Sequence, residues 1–237
     1  MRHSQILLAT FLMAILTSGV AAAIDNCAIC HEDPKFKIKH RTLFEYTVAF
    51  QSSSHGEAGL ECIDCHGGNA SAEDLDTVHK GVMDPVRYDL IPTTCGECHE
   101  DQRDAFVTSN HSQSLKDDET GPNCVTCHGA MDMSLVAVAD VKETCLECHA
   151  EGTEIDAEVP ARAEHILKLI NNIKGYRNFV AKHGDDQLFI TNTDRAYDQL
   201  TSAWHRFDLD GVSKDAETLL ADLRHEKNRI IAQRRKH

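Results

Sequence analysis

All ten cysteines of this 237-residue chain lie in Cys-x-x-Cys-His motifs, and the motif occurs five times. Two thiols at this spacing can each bond to one vinyl group of a single porphyrin, and the next histidine can bind the iron as its proximal ligand. In chain order, motifs 1 to 5 contain Cys27, Cys30 and His31; Cys62, Cys65 and His66; Cys95, Cys98 and His99; Cys124, Cys127 and His128; Cys145, Cys148 and His149. The motifs predict five covalently attached haem c groups.

Zinc binding and disulfide bonding account for these cysteines less well. Zinc ribbons draw four protein ligands from paired Cys-x-x-Cys units, so five units would leave one unmatched. A disulfide framework is common in exported proteins, but it gives no reason for a histidine to follow every second cysteine.

Residues 1–23 have the pattern of a secretory signal peptide. Arg2 supplies a basic start, an apolar run extends from Ile6 to Leu16, and small residues end at Ala23. The apolar run is shorter than the roughly 20 residues of a membrane-spanning helix, although an uncleaved N-terminal anchor is the alternative. We therefore expect a periplasmic protein, with an extracellular or membrane-associated location as the other possibilities.

The chain is acidic, with 24 Lys and Arg against 38 Asp and Glu and a formal net charge of −14. Such a field disfavours nucleic acid and favours docking to basic patches on redox proteins. The expected partners are a quinol-oxidising membrane cytochrome, a terminal reductase or an outer-membrane conduit. Solubility alone would also account for the acidity.

Composition divides the mature chain into two parts. Residues 24–150 hold all five motifs and many glycines, a stretch too short to build an ordinary apolar core around five haems. We expect a haem-packed region with little regular structure. Residues 151–237 contain no cysteine and show helical periodicity. The predicted fold is mainly α, with extensive loops followed by a bundle or hairpin of about three helices.

The three C-terminal helices are predicted from periodicity and from end signals. The first extends from about Pro160 to His183 with Gly184 as its C-cap, and the second covers about 193–207. The third begins near Ser213, a candidate N-cap, and continues to about residue 236. Their apolar faces would cover one side of the haem array or join two copies of the chain.

Each iron needs a sixth ligand unless its haem is catalytic. Nine histidines lie outside the expected signal and the motifs, so histidine could serve every iron. The predicted distal ligands are His40, His55, His79, His111 and His205. His165 is the alternative to His205. Three methionines offer another ligand type, which would raise the potential of that haem: Met83, Met131 and Met133.

Three segments resemble the periplasmic and extracellular multihaem cytochromes c. They are 54–68, which contains motif 2; 78–81; and 109–112, which leads to motif 4 at 121–129. Related proteins place distal histidines in such Ser-x-His and His-x-Gly contexts, so the resemblance implies that role for His55, His79 and His111. The helix end at 205–208 is similar to the C-terminal helical part of such cytochromes.

The long C-terminal helices also resemble those of pentahaem nitrite reductases and hydroxylamine oxidoreductases. This chain is much shorter than those enzymes, and all five of its motifs end in histidine, whereas the nitrite reductases often have lysine at the substrate haem. We therefore expect an electron carrier of an anaerobic respiratory chain rather than an enzyme. The alternatives are a reductase of a small nitrogen or sulfur oxyanion at a five-coordinate haem, and a subunit of a polymeric haem wire.

Overall fold

The computed structural model describes residues 26–83, 86–118, 120–152 and 156–235. The expected signal peptide at 1–23 lies outside these ranges. The fold prediction is confirmed within them: the structure is mainly helical, with short helices and loops followed by three long C-terminal helices. None of the described helices is both long and apolar enough to cross a lipid bilayer.

The N-terminal part is a series of short helices joined by loops. They are α1 (Asn26–His31), α2 (Pro34–Lys39), α3 (Arg41–Gln51), α4 (Ser54–Glu57), α5 (Cys62–His66), α6 (Leu75–Val78), α7 (Ile91–Cys95), α8 (Glu100–Phe106), α9 (Asn110–Asp118), α10 (Cys124–His128) and α11 (Val138–Leu146). A 3-10 turn at Tyr88–Leu90 precedes α7.

Motifs 2 and 4 fold into nearly identical single turns of helix. Both helices begin with a capping box, in which the side chains of the N-cap residue and of the third helical residue each accept a hydrogen bond from the other residue's backbone N–H. The two residues are Glu61 and Asp64 in α5, and Asn123 and Thr126 in α10. The glycine after each motif, Gly67 or Gly129, has a positive φ that ends the helix at once. Local sequence thus presents the motif histidine at the last position of a short, fixed helix.

The C-terminal part consists of α12 (Val159–His183), α13 (Gln187–Trp204) and α14 (Leu209–Arg234). Their facing residues form the principal apolar cluster among the described residues, with Ile173 and Leu223 fully buried at its centre. The C-cap predicted at Gly184 is confirmed, and its N–H donates to the Val180 carbonyl at 2.7 Å.

The starts of the last two helices differ from the sequence prediction. The α13 helix begins earlier because the Asp186 carboxylate accepts a hydrogen bond from the Phe189 N–H. Ser213 is not an N-cap but lies inside α14, which begins after Asp208, whose carboxylate accepts from the Gly211 N–H. The first turns of both helices contain residues of low helix propensity, Ile190 and Thr191 in α13 and Gly211 and Val212 in α14, so the sequence pattern located these starts too late.

The C-terminal helices pack against the N-terminal part mainly at two elements. The α12 helix packs on α11, which carries the first cysteine of motif 5, and α13 packs on α8, which follows motif 3. Gln102 in α8 donates to the Ser202 hydroxyl of α13 at 3.3 Å. The end of α13 is thereby held next to the motifs.

Candidate haem centres

Four of the five motif histidines face a second histidine at nearly constant separation. The ring centres lie 6.3 Å apart for His31 and His79, 5.8 Å for His99 and His55, 6.2 Å for His128 and His205, and 6.1 Å for His149 and His111. Iron bound to two imidazole nitrogens at about 2 Å each would place the ring centres roughly 6 Å apart, since each nitrogen lies about 1 Å from its ring centre. These residues therefore fit an iron held between two axial imidazoles.

Rings that simply stack on one another in this structure lie closer together. The ring of Phe36 lies 4.8 Å from that of His31, and the ring of His40 lies 4.6 Å from that of Phe36. The histidine spacing is wider than these contacts and matches the separation expected for one iron between two ring nitrogens.

Backbone carbonyls orient four of the histidines. The Nδ1 atoms lie 2.8 Å from the Leu75 carbonyl for His79, 2.9 Å from Thr201 for His205, 2.9 Å from Ser134 for His128 and 3.0 Å from Met83 for His66. An Nδ1–H that donates to a carbonyl leaves Nε2 without a proton and free to bind a metal. Each ring is thereby held in the tautomer that haem iron needs.

Burial favours the neutral, metal-binding form of two of the predicted distal histidines. It lowers the pKa of His205, whose partner His128 contributes further, and it lowers the pKa of His111, with a smaller contribution from His149. Each of these imidazoles sits in a part of the molecule where an unpaired cation would be costly.

His79 faces motif 1 because the loop that carries it is tied to both neighbouring motifs. The Asn69 N–H donates to the Val78 carbonyl at 3.1 Å, which holds the loop against the end of motif 2. Asn26, which begins the helix of motif 1, donates from its backbone to Ala70 and from its side chain to Ala72. Motif 1 and His79 are thus docked on one short segment.

His55 lies just before motif 2 in sequence but faces His99 of motif 3. The α4 helix that carries it turns sharply out of α3, and a Cβ on Gly56 would lie 2.3 Å from the Phe50 carbonyl oxygen. Only glycine fits this turn. Ser53 caps α4 by accepting from the Gly56 N–H, which completes the support of His55.

His111 lies in α9 and faces His149 of motif 5. Ser109 accepts a hydrogen bond from the Ser112 N–H at 3.1 Å at the start of this helix. On its other side the His111 ring meets the edge of Phe207 at 4.3 Å. Phe207 has a φ of 57°, uncommon for a residue other than glycine, and sits between α13 and α14.

We expect Gly121→Ala to displace His111. An added Cβ would lie 2.3 Å from the His111 carbonyl oxygen and 2.5 Å from the Leu115 nitrogen, so the backbone of α9 must move. The expected cost is about 1 to 3 kcal/mol of unfolding free energy, measured by thermal denaturation. A high-spin ferric signal should appear in electron paramagnetic resonance (EPR) spectra as the haem of motif 5 loses its sixth ligand.

Gly175→Ala is the matched control for this change. Gly175 lies inside α12, and an added Cβ there meets nothing within 4 Å. This variant should gain up to about 1 kcal/mol from helix propensity and keep the wild-type spectrum. A Gly121 variant that behaved in the same way would contradict the close approach at α9.

His66 and His40 are not brought together. Among the described residues, the His66 ring contacts no second histidine ring, while His40 is exposed and packs on Phe36. The Met83 carbonyl lies against Nδ1 of the His66 ring, and the Met83 N–H donates to the His66 backbone carbonyl at 2.8 Å. The assignment of His40 as a distal ligand stays a prediction, and His165 is exposed on α12.

The later motifs lie side by side. The α10 helix, which is motif 4, packs on α7, which ends at Cys95 of motif 3, and on α11, which carries Cys145 of motif 5. Burial, with Cys95 nearby, raises the pKa of Cys65, and burial, with Cys145 nearby, raises the pKa of Cys127 to about 11. Motifs 3, 4 and 5 therefore neighbour one another in chain order, and His55, just before motif 2, faces motif 3.

Sequence reasoning found the histidines of these pairs but missed how they pair. His55 precedes motif 2 but faces motif 3, and His111 precedes motif 4 but faces motif 5. His79 follows motif 2 but faces motif 1. No local sequence signal encodes these pairings, because they depend on how the loops pack.

Comparison with known proteins agrees with the geometry. A family model described as cytochrome c552 matches residues 32–120. A multihaem cytochrome MtrA of Shewanella baltica (strain OS185) is 29% identical over 150 residues, which are 61% of this chain and 42% of that protein. The chain thus spans less than half the length of this relative. No solved structure matches the chain. These matches support what the five motifs and the histidine pairs indicate, that the chain is a multihaem c-type cytochrome.

Proposed function

We propose that the protein is a periplasmic electron carrier with five haem c groups, which relays electrons between redox partners of an anaerobic respiratory chain. The observation that carries the proposal is the set of four histidine pairs at about 6 Å. Iron with two imidazole ligands is six-coordinate, has a low potential and leaves no position for a substrate. Such haems pass electrons and do not perform bond chemistry.

The order of the motifs supports conduction along the array. Motifs 3, 4 and 5 are neighbours through α7, α10 and α11, and His55 joins the segment before motif 2 to motif 3. Motif 1 is docked on the segment after motif 2. Groups held on adjacent motifs would themselves be adjacent, so an electron could move from one end to the other. The protein's contribution is the spacing, the ligation and the exposure of the cofactors.

The partners we propose are other redox proteins: a quinol-oxidising membrane cytochrome as donor, and a terminal reductase or an outer-membrane conduit as acceptor. The resemblance to a multihaem cytochrome named MtrA supports partners of this general kind. Because the chain has an acidic net charge, most of its surface would attract partner proteins that carry basic patches.

The function is tested by the spin state and number of the haems. Intact mass should exceed that of the polypeptide by five haems, and ferric EPR spectra should show low-spin signals from at least the four paired centres. A colourless protein, or high-spin signals from several haems, would contradict the proposal.

A second candidate function has one specific observation in its favour. The ring of His66 faces no second histidine within the described residues, so its haem could bind a small ligand such as nitrite in the sixth position. This would make motif 2 a site of reduction fed by the other four haems. His40 is the competing sixth ligand, and the two possibilities differ in a simple measurement.

Carbon monoxide binding to the reduced protein separates these possibilities. If the His66 haem is open, the wild type binds one carbon monoxide per chain and His40→Ala changes nothing. If His40 is its ligand, the wild type binds none and His40→Ala creates one site. His225→Ala, at an exposed position of α14, is the control and should leave the wild-type result unchanged.

A further inference from the structure

The surface around α2 and α3 carries a local excess of positive charge. Lys35, Lys37 and Lys39 lie exposed on α2, and Arg41 begins α3, in a chain with a formal net charge of −14. Arg41 pairs with Glu45, but among the described residues none of the three lysines forms a salt bridge. Their charge is therefore available to an incoming molecule.

The same surface exposes large apolar side chains. Ile38 is 84% exposed, and Tyr46 is 50% exposed with Leu43 beside it on α3. Lys37 lies over the ring of Phe44 with its Nζ 4.8 Å from the ring centre, so at least this lysine borders the apolar residues directly. We call this set of residues, Lys35 to Tyr46, the basic face. Exposed apolar residues edged by charge are typical of an interaction site.

Aromatic rings connect the basic face to motif 1. The ring of His31 stacks on Phe36, and Phe36 contacts His40, which is exposed between Lys39 and Arg41. The proximal ligand of the first haem is thus two ring contacts from the protein surface. At the other end, the principal contacts of the C-terminal helices cover the regions after motif 3 and around motif 5.

We propose that the basic face is the docking site for an acidic redox protein that exchanges electrons with the haem of motif 1. This inference rests on the proposed electron-transfer function and adds which end of the array meets this partner and what charge the partner has. Charge complementarity selects an acidic protein. The ring ladder from His40 to His31 favours a redox partner over a lipid surface, which would need no path to the haem.

Stopped-flow reduction of the ferric protein by reduced flavodoxin, an acidic one-electron donor, tests the proposal. The test variant is Lys35→Glu/Lys37→Glu/Lys39→Glu. The matched control is Lys174→Glu/Lys182→Glu/Lys214→Glu, at exposed positions of α12 and α14. Because both variants have the same net charge, global repulsion of flavodoxin is equal in the two. At low salt, the rate of reduction of the basic-face variant should be about tenfold lower than that of the control variant.

Reduction by dithionite shows whether the haems themselves are intact. It should be equal in the wild type and both variants. Equal flavodoxin rates in the two variants would overturn the docking site but leave the electron carrier standing. A wild type that dithionite could not reduce would overturn both.

Two further measurements test whether a membrane or a second copy of the chain binds the basic face instead of a redox protein. Sedimentation with vesicles of phosphatidylglycerol and phosphatidylcholine should show no binding that depends on the three lysines. Analytical ultracentrifugation should give the same mass for the wild type and the basic-face variant. Lysine-dependent vesicle binding, or an oligomer that the variant dissociates, would replace the redox partner by a membrane or a second copy of the chain.

Discussion

Replacing His205 with alanine should convert one haem from low spin to high spin and leave the others unchanged. His205 faces His128 at 6.2 Å and is fixed by the Thr201 carbonyl, so its loss removes the sixth ligand of the motif 4 haem. The ferric protein should gain a high-spin EPR signal of one haem per chain, and the reduced protein should bind one additional carbon monoxide. Added imidazole should restore the low-spin signal by filling the space that the side chain leaves.

The matched control for this experiment is His165→Ala. His165 is the sequence alternative to His205, but it is exposed on α12, and we expect its removal to leave the spectrum unchanged. The opposite pattern, a high-spin haem in the His165 variant alone, would show that the ligand was assigned to the wrong helix.

The pairing of His205 with His128 illustrates what sequence can and cannot predict. The motif dictates the proximal histidine by covalent geometry, so His128 follows from the position of Cys124 and Cys127. Trp204 and Phe207 give His205 an apolar setting, where an unpaired imidazole would be costly, and this favours His205 over His165 as a ligand. That His205 faces motif 4 depends on the packing of α13 against α8, which no periodicity encodes.

The helix ends show the same limit at a smaller scale. Periodicity located α12 almost completely because its apolar residues recur along its whole length and Gly184 ends it. It placed the starts of α13 and α14 too late because Asp186 and Asp208 act through single hydrogen bonds to the Phe189 and Gly211 N–H groups. Such caps are local contacts among many candidate aspartates, and only the structure selects between them.

Burial in the C-terminal helices and ligation in the haem region meet at the end of α13. The α13 helix carries Leu200 into the apolar cluster and presents His205 at its C-cap. The burial of Leu200 and the position of His205 therefore both depend on how α13 is placed. Phe207, just after His205, contacts His111, the predicted distal ligand of motif 5. The C-terminal helices are therefore a support for two haem centres and not a separate unit beside them.

Leu200→Ala should consequently weaken both the fold and the motif 4 haem. The Leu200 side chain is 4% exposed, and truncating a buried leucine costs about 2 to 5 kcal/mol of unfolding free energy because it leaves a cavity. A loosened α13 would hold His205 less firmly, since the Thr201 carbonyl that orients its ring lies one residue after Leu200. Denaturant unfolding should show the lost stability, and EPR should show a partial high-spin signal.

Leu188→Ala, on the same helix at 71% exposure, should change stability by less than about 0.5 kcal/mol and leave the haem spectrum unaltered. Equal losses in the two variants would mean that the apolar cluster does not position His205.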